Sequence, residues 1–114
     1  MLHHYRSPPG GEFAGEIVAV GLGVDQFSIG DKAVAGTRFG GFSELVNAEV
    51  GSVKPIPAGI SFEKAAAYQT AYLTAYVALI VRGGLKPGET LLVHGATGGV
   101  GLAAVDLGKH LGAT

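Results

Sequence analysis

A glycine-rich stretch late in the sequence carries the pattern with the clearest chemical meaning. It reads Gly95-Ala96-Thr97-Gly98-Gly99-Val100-Gly101, after a β-type run, Thr90–His94, and it overlaps the start of a helical pattern, Val100–Leu111. A glycine turn between a strand and a helix is the context in which dinucleotide-binding fingerprints occur. Here the fingerprint has alanine in the first glycine position, as Ala96-x-Gly98-x-x-Gly101. We interpret it as a phosphate-binding turn, with a purely structural tight turn as the alternative.

Each part of this turn has a physical task in that interpretation. Gly98 lets the backbone approach a pyrophosphate, and Gly101 lets the helix pack closely against its strand. The first helical turn adds free N–H groups and a partial positive charge. A residue that reads the ribose is expected about 20 residues after the turn, whereas 13 residues follow Gly101 (102–114). The sequence therefore predicts the first β-α unit of a nucleotide-binding fold.

Short β-type runs separated by glycine turns precede this unit. We predict four strands, at Phe13–Val20, Lys32–Ala35, Phe42–Val46 and Ser52–Lys54. Successive short strands of this kind are typical of a small antiparallel sheet or partial barrel.

The pattern becomes helical at Ile60. Ser61 is a candidate N-cap, and a helical pattern runs through alanines and then Thr70–Arg82 before Gly83 and Gly84 end it. Tyrosines recur every four residues and share one helical face, which we interpret as packing rather than binding: Tyr68, Tyr72 and Tyr76. The predicted fold class is α/β, with a β-rich segment at 1–59 and connecting helices plus the start of a nucleotide-binding domain at 60–114.

Composition excludes several classes of protein. The 114 residues are 47% hydrophobic and 15% charged, which is incompatible with intrinsic disorder. A net charge of −1 gives no footprint for nucleic acid. The absence of cysteine excludes disulfides, thiol nucleophiles and thiolate metal sites, and is compatible with the cytoplasm. The apolar run Ala65–Val81 has glutamine, threonines and tyrosines at its middle, so we predict a core helix and no membrane span.

Further motifs occur in an order that resembles a known family. The chain is similar to the medium-chain dehydrogenase/reductase superfamily, in its zinc-independent NADPH:quinone oxidoreductase branch of the zeta-crystallin type. The motifs are Pro9-Gly10-Gly11-Glu12-Phe13-Ala14-Gly15, Val20-Gly21, Gly30-Asp31-Lys32, Gly40-Gly41-Phe42-Ser43-Glu44, Thr74-Ala75-Tyr76 and Gly88-Glu89 through Gly101.

This resemblance implies a fold, a cofactor and a reaction. The fold would be a partial GroES-like segment followed by the start of a Rossmann domain, and the chain resembles an interior excerpt of such a protein. The reaction would be NADPH-dependent reduction of a quinone or enone by direct hydride transfer. The residues that match the family's cofactor site are Thr74, near the nicotinamide end, and Ala96, Thr97, Gly98, Gly99, Val100 and Gly101 in the pyrophosphate loop.

The sequence also departs from the family's patterns. Gly11 occupies the place of a metal-binding histidine in zinc-dependent relatives, so we predict no metal site. Thr97 stands where a smaller residue is usual and could crowd the phosphate, and Asp106 stands where glutamine is usual.

The remaining candidates have ordinary structural explanations. His3 and His4 lack a nearby carboxylate partner in the sequence, His94 either faces the cofactor or packs at a strand end, and Glu12 supports the start of a strand. We assign no catalytic residue. An uncovered β-α unit predicts a homo-oligomer. The alternatives are a non-catalytic fragment and one chain of a split enzyme, and weak or absent NADPH binding is expected of this chain alone.

Overall fold

The computed structural model describes residues 8–114, which fold as two units, one ending at Ala67 and the other beginning at Tyr68. Its elements in chain order are β1 (Glu12–Glu16), β2 (Lys32–Gly36), a 3-10 turn (Val50–Ser52), β3 (Val53–Pro55), α1 (Phe62–Tyr76), a π-helical segment (Val77–Arg82) and α2 (Gly99–His110).

The three strands form one antiparallel sheet in the order β1-β2-β3. Glu12 pairs with Gly36 at one end of the first ladder, and Ala35 pairs with Val53 in the second. The central strand β2 is buried, and its Val34, 1% exposed, is the largest fully buried side chain among the described residues. The predicted antiparallel sheet is confirmed, with its core built on β2.

Two of the predictions in this sheet were wrong, one in the extent of the strand and one in its existence. β1 ends at Glu16 rather than Val20; beyond it Ile17 donates to the carbonyl of Asp31 (2.9 Å), and Val18 and Val20 are exposed. The segment Phe42–Val46 forms bends instead of a strand.

The reason for the missing strand lies in a close contact between two backbone segments. Gly40 donates to the carbonyl of Pro8 (2.7 Å) and Phe42 to that of Pro9 (3.0 Å), so these groups do not extend the sheet. Gly10 has a φ of +105°, and a Cβ there would lie 2.8 Å from the nitrogen of Phe42. Only glycine fits both this conformation and this contact.

The predicted helix forms and begins with the expected cap. Ser61 Oγ accepts a hydrogen bond from the amide of Lys64 (3.3 Å). The pKa of Glu63 is lowered by its own backbone N–H and by the Ser61 hydroxyl. The helix is not uniformly α: it widens into the π-helical segment before Gly83 donates to the carbonyl of Ala78 (2.8 Å). Within residues 8–114, no helix combines the length and apolarity needed to cross a bilayer.

The second unit has a core of small side chains. Ala75 of α1 and Ala103 and Ala104 of α2 are buried together. Partly buried residues pack around them: Ala71, Tyr72, Leu79, Val93 and Leu107. The centre of this cluster is therefore alanine, and the larger side chains lie around it, only partly buried.

The prediction of a strand at Thr90–His94 was wrong: this extended segment forms no strand and makes one pair of backbone hydrogen bonds with Thr114. Leu91 donates to the carbonyl of Thr114 (2.9 Å), and Thr114 donates to that of Glu89 (2.9 Å). This alternation is the hydrogen-bond pattern of parallel strands. A hydrogen bond from Gly88 to the carbonyl of Gly112 (2.8 Å) joins the turn before this segment to the turn after α2.

We expect the chain to self-associate at micromolar concentration, because the second unit exposes large apolar side chains. Leu92 is 78% exposed, and on α2 Leu102 is 58%, Val105 45% and Val100 44% exposed. Burying such a surface against a second copy removes it from water. Light scattering across the micromolar range tests this, and a monomer at every concentration would contradict it.

A matched pair of variants tests whether the exposed apolar side chains of α2 form the contact between copies. Leu102→Glu should shift the chain toward monomer, because it places a charge within the apolar surface. Lys109→Glu also introduces a glutamate on α2, at an exposed polar position, and should leave association unchanged.

Candidate cofactor-binding site

The glycine turn is a compact reversal between the extended segment and α2. Gly95 adopts a φ of +68°, and the amide of Gly98 donates to its carbonyl at 3.1 Å. Gly98 is the N-cap of α2 in an extended conformation (φ −83°, ψ 166°), and its carbonyl accepts from Leu102 at 2.8 Å. The predicted glycine turn is thus present, and α2 begins at Gly99, one residue earlier than predicted.

Gly101 and Gly98 have different tasks in this turn. A Cβ on Gly101 would collide with the carbonyl oxygen of Gly95 and lie 2.8 Å from the Cα of Ala96, so any larger residue clashes with backbone. A Cβ on Gly98 would have the same oxygen as its nearest neighbour, at 3.6 Å, which is ordinary contact. Gly101 is required by the fold, whereas Gly98 leaves space that the protein does not fill.

The start of α2 presents hydrogen-bond donors without protein acceptors. In residues 8–114, the structure provides no backbone acceptor for the amides of Gly99, Val100 and Gly101, and no side chain caps the helix. The helix dipole places partial positive charge at this end, and Lys109 and His110 lie in the last turn, where cations complement the dipole. The arrangement suits a phosphate group.

Glycines also bring α2 close to its neighbours in the unit. A Cβ on the buried Gly108 would lie 2.5 Å from Leu91 Cδ2, so an alanine there would require the Leu91 side chain to move. At the other end of α2, a Cβ on Gly99 would lie 3.8 Å from that of Ala71 on α1. The turn is therefore held between two packed elements.

The predicted cofactor residues fall on two elements. Ala96–Gly101 come together in the turn and the first turn of α2, with Thr97 exposed. Thr74 is exposed on α1, beside the buried Ala75 and three residues after Ala71, which faces the start of α2.

One polar contact was missed by the sequence reasoning. The hydroxyl of Tyr72 donates to Asp106 Oδ2 at 2.8 Å, joining α1 to α2. This hydrogen bond, with burial and the negative charge of Asp106 as smaller causes, raises the pKa of Tyr72. Two features of the sequence could have indicated this contact. Tyr72 is one of the tyrosines that recur every four residues, and Asp106 stands where glutamine is usual in the family.

The remaining candidates lie outside the residues Ala96–Gly101 and Thr74. Glu12 is the first residue of β1, and His94 is exposed at the end of the extended segment. His3 and His4 lie outside the described residues. Over residues 8–114, no three His, Asp or Glu side chains are grouped so that they could hold a metal ion.

Comparisons with known proteins give close relatives. The chain is 47% identical over 103 residues to mycoketide-CoA synthase of Mycobacterium tuberculosis, covering 90% of this chain and 2% of the synthase. It is 44% identical over 99 residues to the human synaptic vesicle membrane protein VAT-1 homolog, covering 87% of this chain and 25% of that protein. No protein-family model matches the chain.

Solved structures share the fold at a similar level of identity. The Escherichia coli quinone oxidoreductase complexed with NADPH has a TM-score of 0.86 and 38% identity, covering all of this chain and 35% of that one. The CurK enoyl reductase has a TM-score of 0.85 and 38% identity, covering 90% of this chain and 31% of that one. The chain thus spans about a third of these neighbours.

These neighbours identify the class of protein. They are quinone oxidoreductases and enoyl reductases of the medium-chain dehydrogenase/reductase superfamily, and the chain has part of that fold. The predicted resemblance is confirmed, as is the combination of a GroES-like segment with the start of a Rossmann domain.

The two glycines should respond differently to alanine. Gly101→Ala is expected to lower the free energy of unfolding by at least about 2 kcal/mol, because the clash is with backbone that no side-chain rotation relieves. Gly98→Ala should cost under about 1 kcal/mol, the loss of a better N-cap. Urea denaturation of both variants measures this, and equal losses would contradict the division of tasks.

Proposed function

We propose that this chain supplies the pyrophosphate-binding part of an NADPH-dependent reductase, which acts on a quinone or enone by direct hydride transfer. The observation that carries the proposal is the set of first-turn amides of α2 beside the unfilled space at Gly98. Neighbours of the same fold support it: one quinone oxidoreductase is described in complex with NADPH, and others are enoyl reductases.

Each cofactor-binding residue has a task in this proposal. The amides of Gly99, Val100 and Gly101 donate to the pyrophosphate, and Gly98 admits it. Ala96 and Thr97 form the wall of the turn, while Thr74 lies toward the nicotinamide end. When bound, the cofactor supplies the hydride; the chain contributes orientation and electrostatic stabilisation. The substrate is a small molecule with an activated double bond, and we place the protein in the cytoplasm.

We further propose that the reaction needs no zinc. The sequence has no cysteine, and Gly11 stands where zinc-dependent relatives have a histidine ligand. Elemental analysis of protein purified without added metal should give far less than one zinc per chain. A stoichiometric zinc content would contradict the proposal.

We expect the chain by itself to bind NADPH weakly, with a Kd in the millimolar range (about −4 kcal/mol). The turn contacts only the phosphates, and ordering a flexible cofactor costs free energy that few contacts offset. Titration of the ¹⁵N-labelled chain with NADPH should shift the amide resonances of residues 98–102. A quinone-dependent absorbance assay should show no turnover, because donor and acceptor carbons must be held about 3–3.5 Å apart.

Two variants sharpen this titration. Gly98→Val fills the space beside the amides and should abolish the shifts, whereas Gly51→Val, at an exposed glycine with open space around it, should not. If NADPH shifts none of these amides, the proposed cofactor site is wrong. Micromolar binding with turnover would support the site and contradict the expectation that this chain by itself is inactive.

A further inference from the structure

A side-chain hydrogen bond joins the two helices of the second unit, from Tyr72 on α1 to Asp106 on α2. Tyr72 and Asp106 are 34 residues apart in the chain, and their side chains meet at 2.8 Å. The aspartate carboxylate is the acceptor, and a hydrogen bond to a charged group is stronger than one between neutral groups.

The packing between these helices gives this bond particular importance. Its buried residues are Ala75, Ala103 and Ala104, and Gly99 faces Ala71. Alanine and glycine let helices approach closely, and the larger side chains that pack around them, such as Leu79 and Leu107, are only partly buried. Contacts between small apolar groups have little directionality, whereas the hydrogen bond from Tyr72 to Asp106 fixes one position of α2 along α1.

We propose that Tyr72 and Asp106 are positioning residues, which hold the amides at the start of α2 at a fixed place along the helix that carries Thr74. The inference rests on the proposed function for its ligand, the cofactor phosphates. Thr74 lies two residues after Tyr72, and Gly99 begins the helix that contains Asp106. The hydrogen bond thus connects the elements that carry the two parts of the candidate site.

The surroundings keep this pair in its bonded state at neutral pH. The ring of Tyr68 meets that of Tyr72 edge to face, with centroids 5.8 Å apart, and restricts its orientation. His110 Nδ1 lies 3.9 Å from Asp106 Oδ1, one turn along α2. Because the pKa of Tyr72 is raised, its hydroxyl is fully protonated at every pH well below 10, the usual pKa of tyrosine. The bond's contribution is complete there and is lost as the pH rises through the raised pKa.

The register can be measured without any ligand. Because the chain has no cysteine, Leu73→Cys at an exposed position of α1 accepts a single nitroxide label. The label broadens amide resonances of α2 according to distance. Tyr72→Phe should change or spread this pattern while far-ultraviolet circular dichroism stays constant. Tyr68→Phe, which removes a hydroxyl but keeps the ring contact, is the matched control and should preserve the pattern.

A second pair of variants tests the acceptor. Asp106→Asn retains an oxygen that accepts from Tyr72 and should keep the wild-type pattern, whereas Asp106→Ala should change it as Tyr72→Phe does. This comparison keeps the test decisive if Tyr72→Phe fails to fold. An unchanged pattern in both Tyr72→Phe and Asp106→Ala would overturn the positioning role.

Binding of inorganic pyrophosphate then connects register to function. Tyr72→Phe and Asp106→Ala should weaken its effect on the amides of residues 98–102 by about three- to tenfold, the range of one hydrogen bond. If pyrophosphate shifts no amide in the wild-type chain, the proposed function fails while the label measurement still reports on the register. If it binds equally to all variants, the positioning role is wrong and the phosphate site stands.

Discussion

The contact between Gly101 and the backbone of Gly95 and Ala96 is the constraint on which the second unit depends. There the first turn of α2 lies against the chain that leads into it, with no side chain between them. This contact lets the chain reverse sharply enough for α2 to return along the extended segment. It also leaves the amides of the first helical turn directed away from the protein's own acceptors.

The buried core of the second unit consists of alanines. Gly108 lies against Leu91 and Gly99 faces Ala71, and the fully buried positions of the cluster, Ala75 and Ala103, are also small. Such a core contributes little apolar burial per residue, and the larger residues Leu92, Leu102 and Val105 remain exposed on the outside of the unit. The unit is thus closely packed inside and apolar outside.

Local signals in the sequence predicted much of this architecture. The glycine turn, the Ser61 cap and the approximate position of β2 depend on residues next to one another in the chain, and each is present. The strand predicted at Phe42–Val46 does not form: Gly40 and Phe42 donate to the carbonyls of Pro8 and Pro9, a long-range contact that β propensity does not contain.

For the candidate site, the sequence predicted the glycine turn but not the contacts between the helices around it. The phosphate-binding role of Ala96–Gly101 stays a prediction from the spacing of glycines, and the space at Gly98 is compatible with it. The hydrogen bond between Tyr72 and Asp106 was not predicted, because it joins two helices whose register depends on tertiary packing. The π-helical segment was missed for a related reason: its side-chain pattern does not differ from that of an α-helix over so few residues.

The hydrogen bonds that join the two ends of the β-α unit have a consequence for its dynamics. Gly88 bonds to Gly112, and Thr114 bonds to both Glu89 and Leu91, so the stretch between them is a closed loop. Opening one of these bonds separates the ends and strains the others. Their amides should therefore exchange with solvent deuterium at similar rates, as members of one cooperative unfolding unit, while the amides at the start of α2 exchange without waiting for that event.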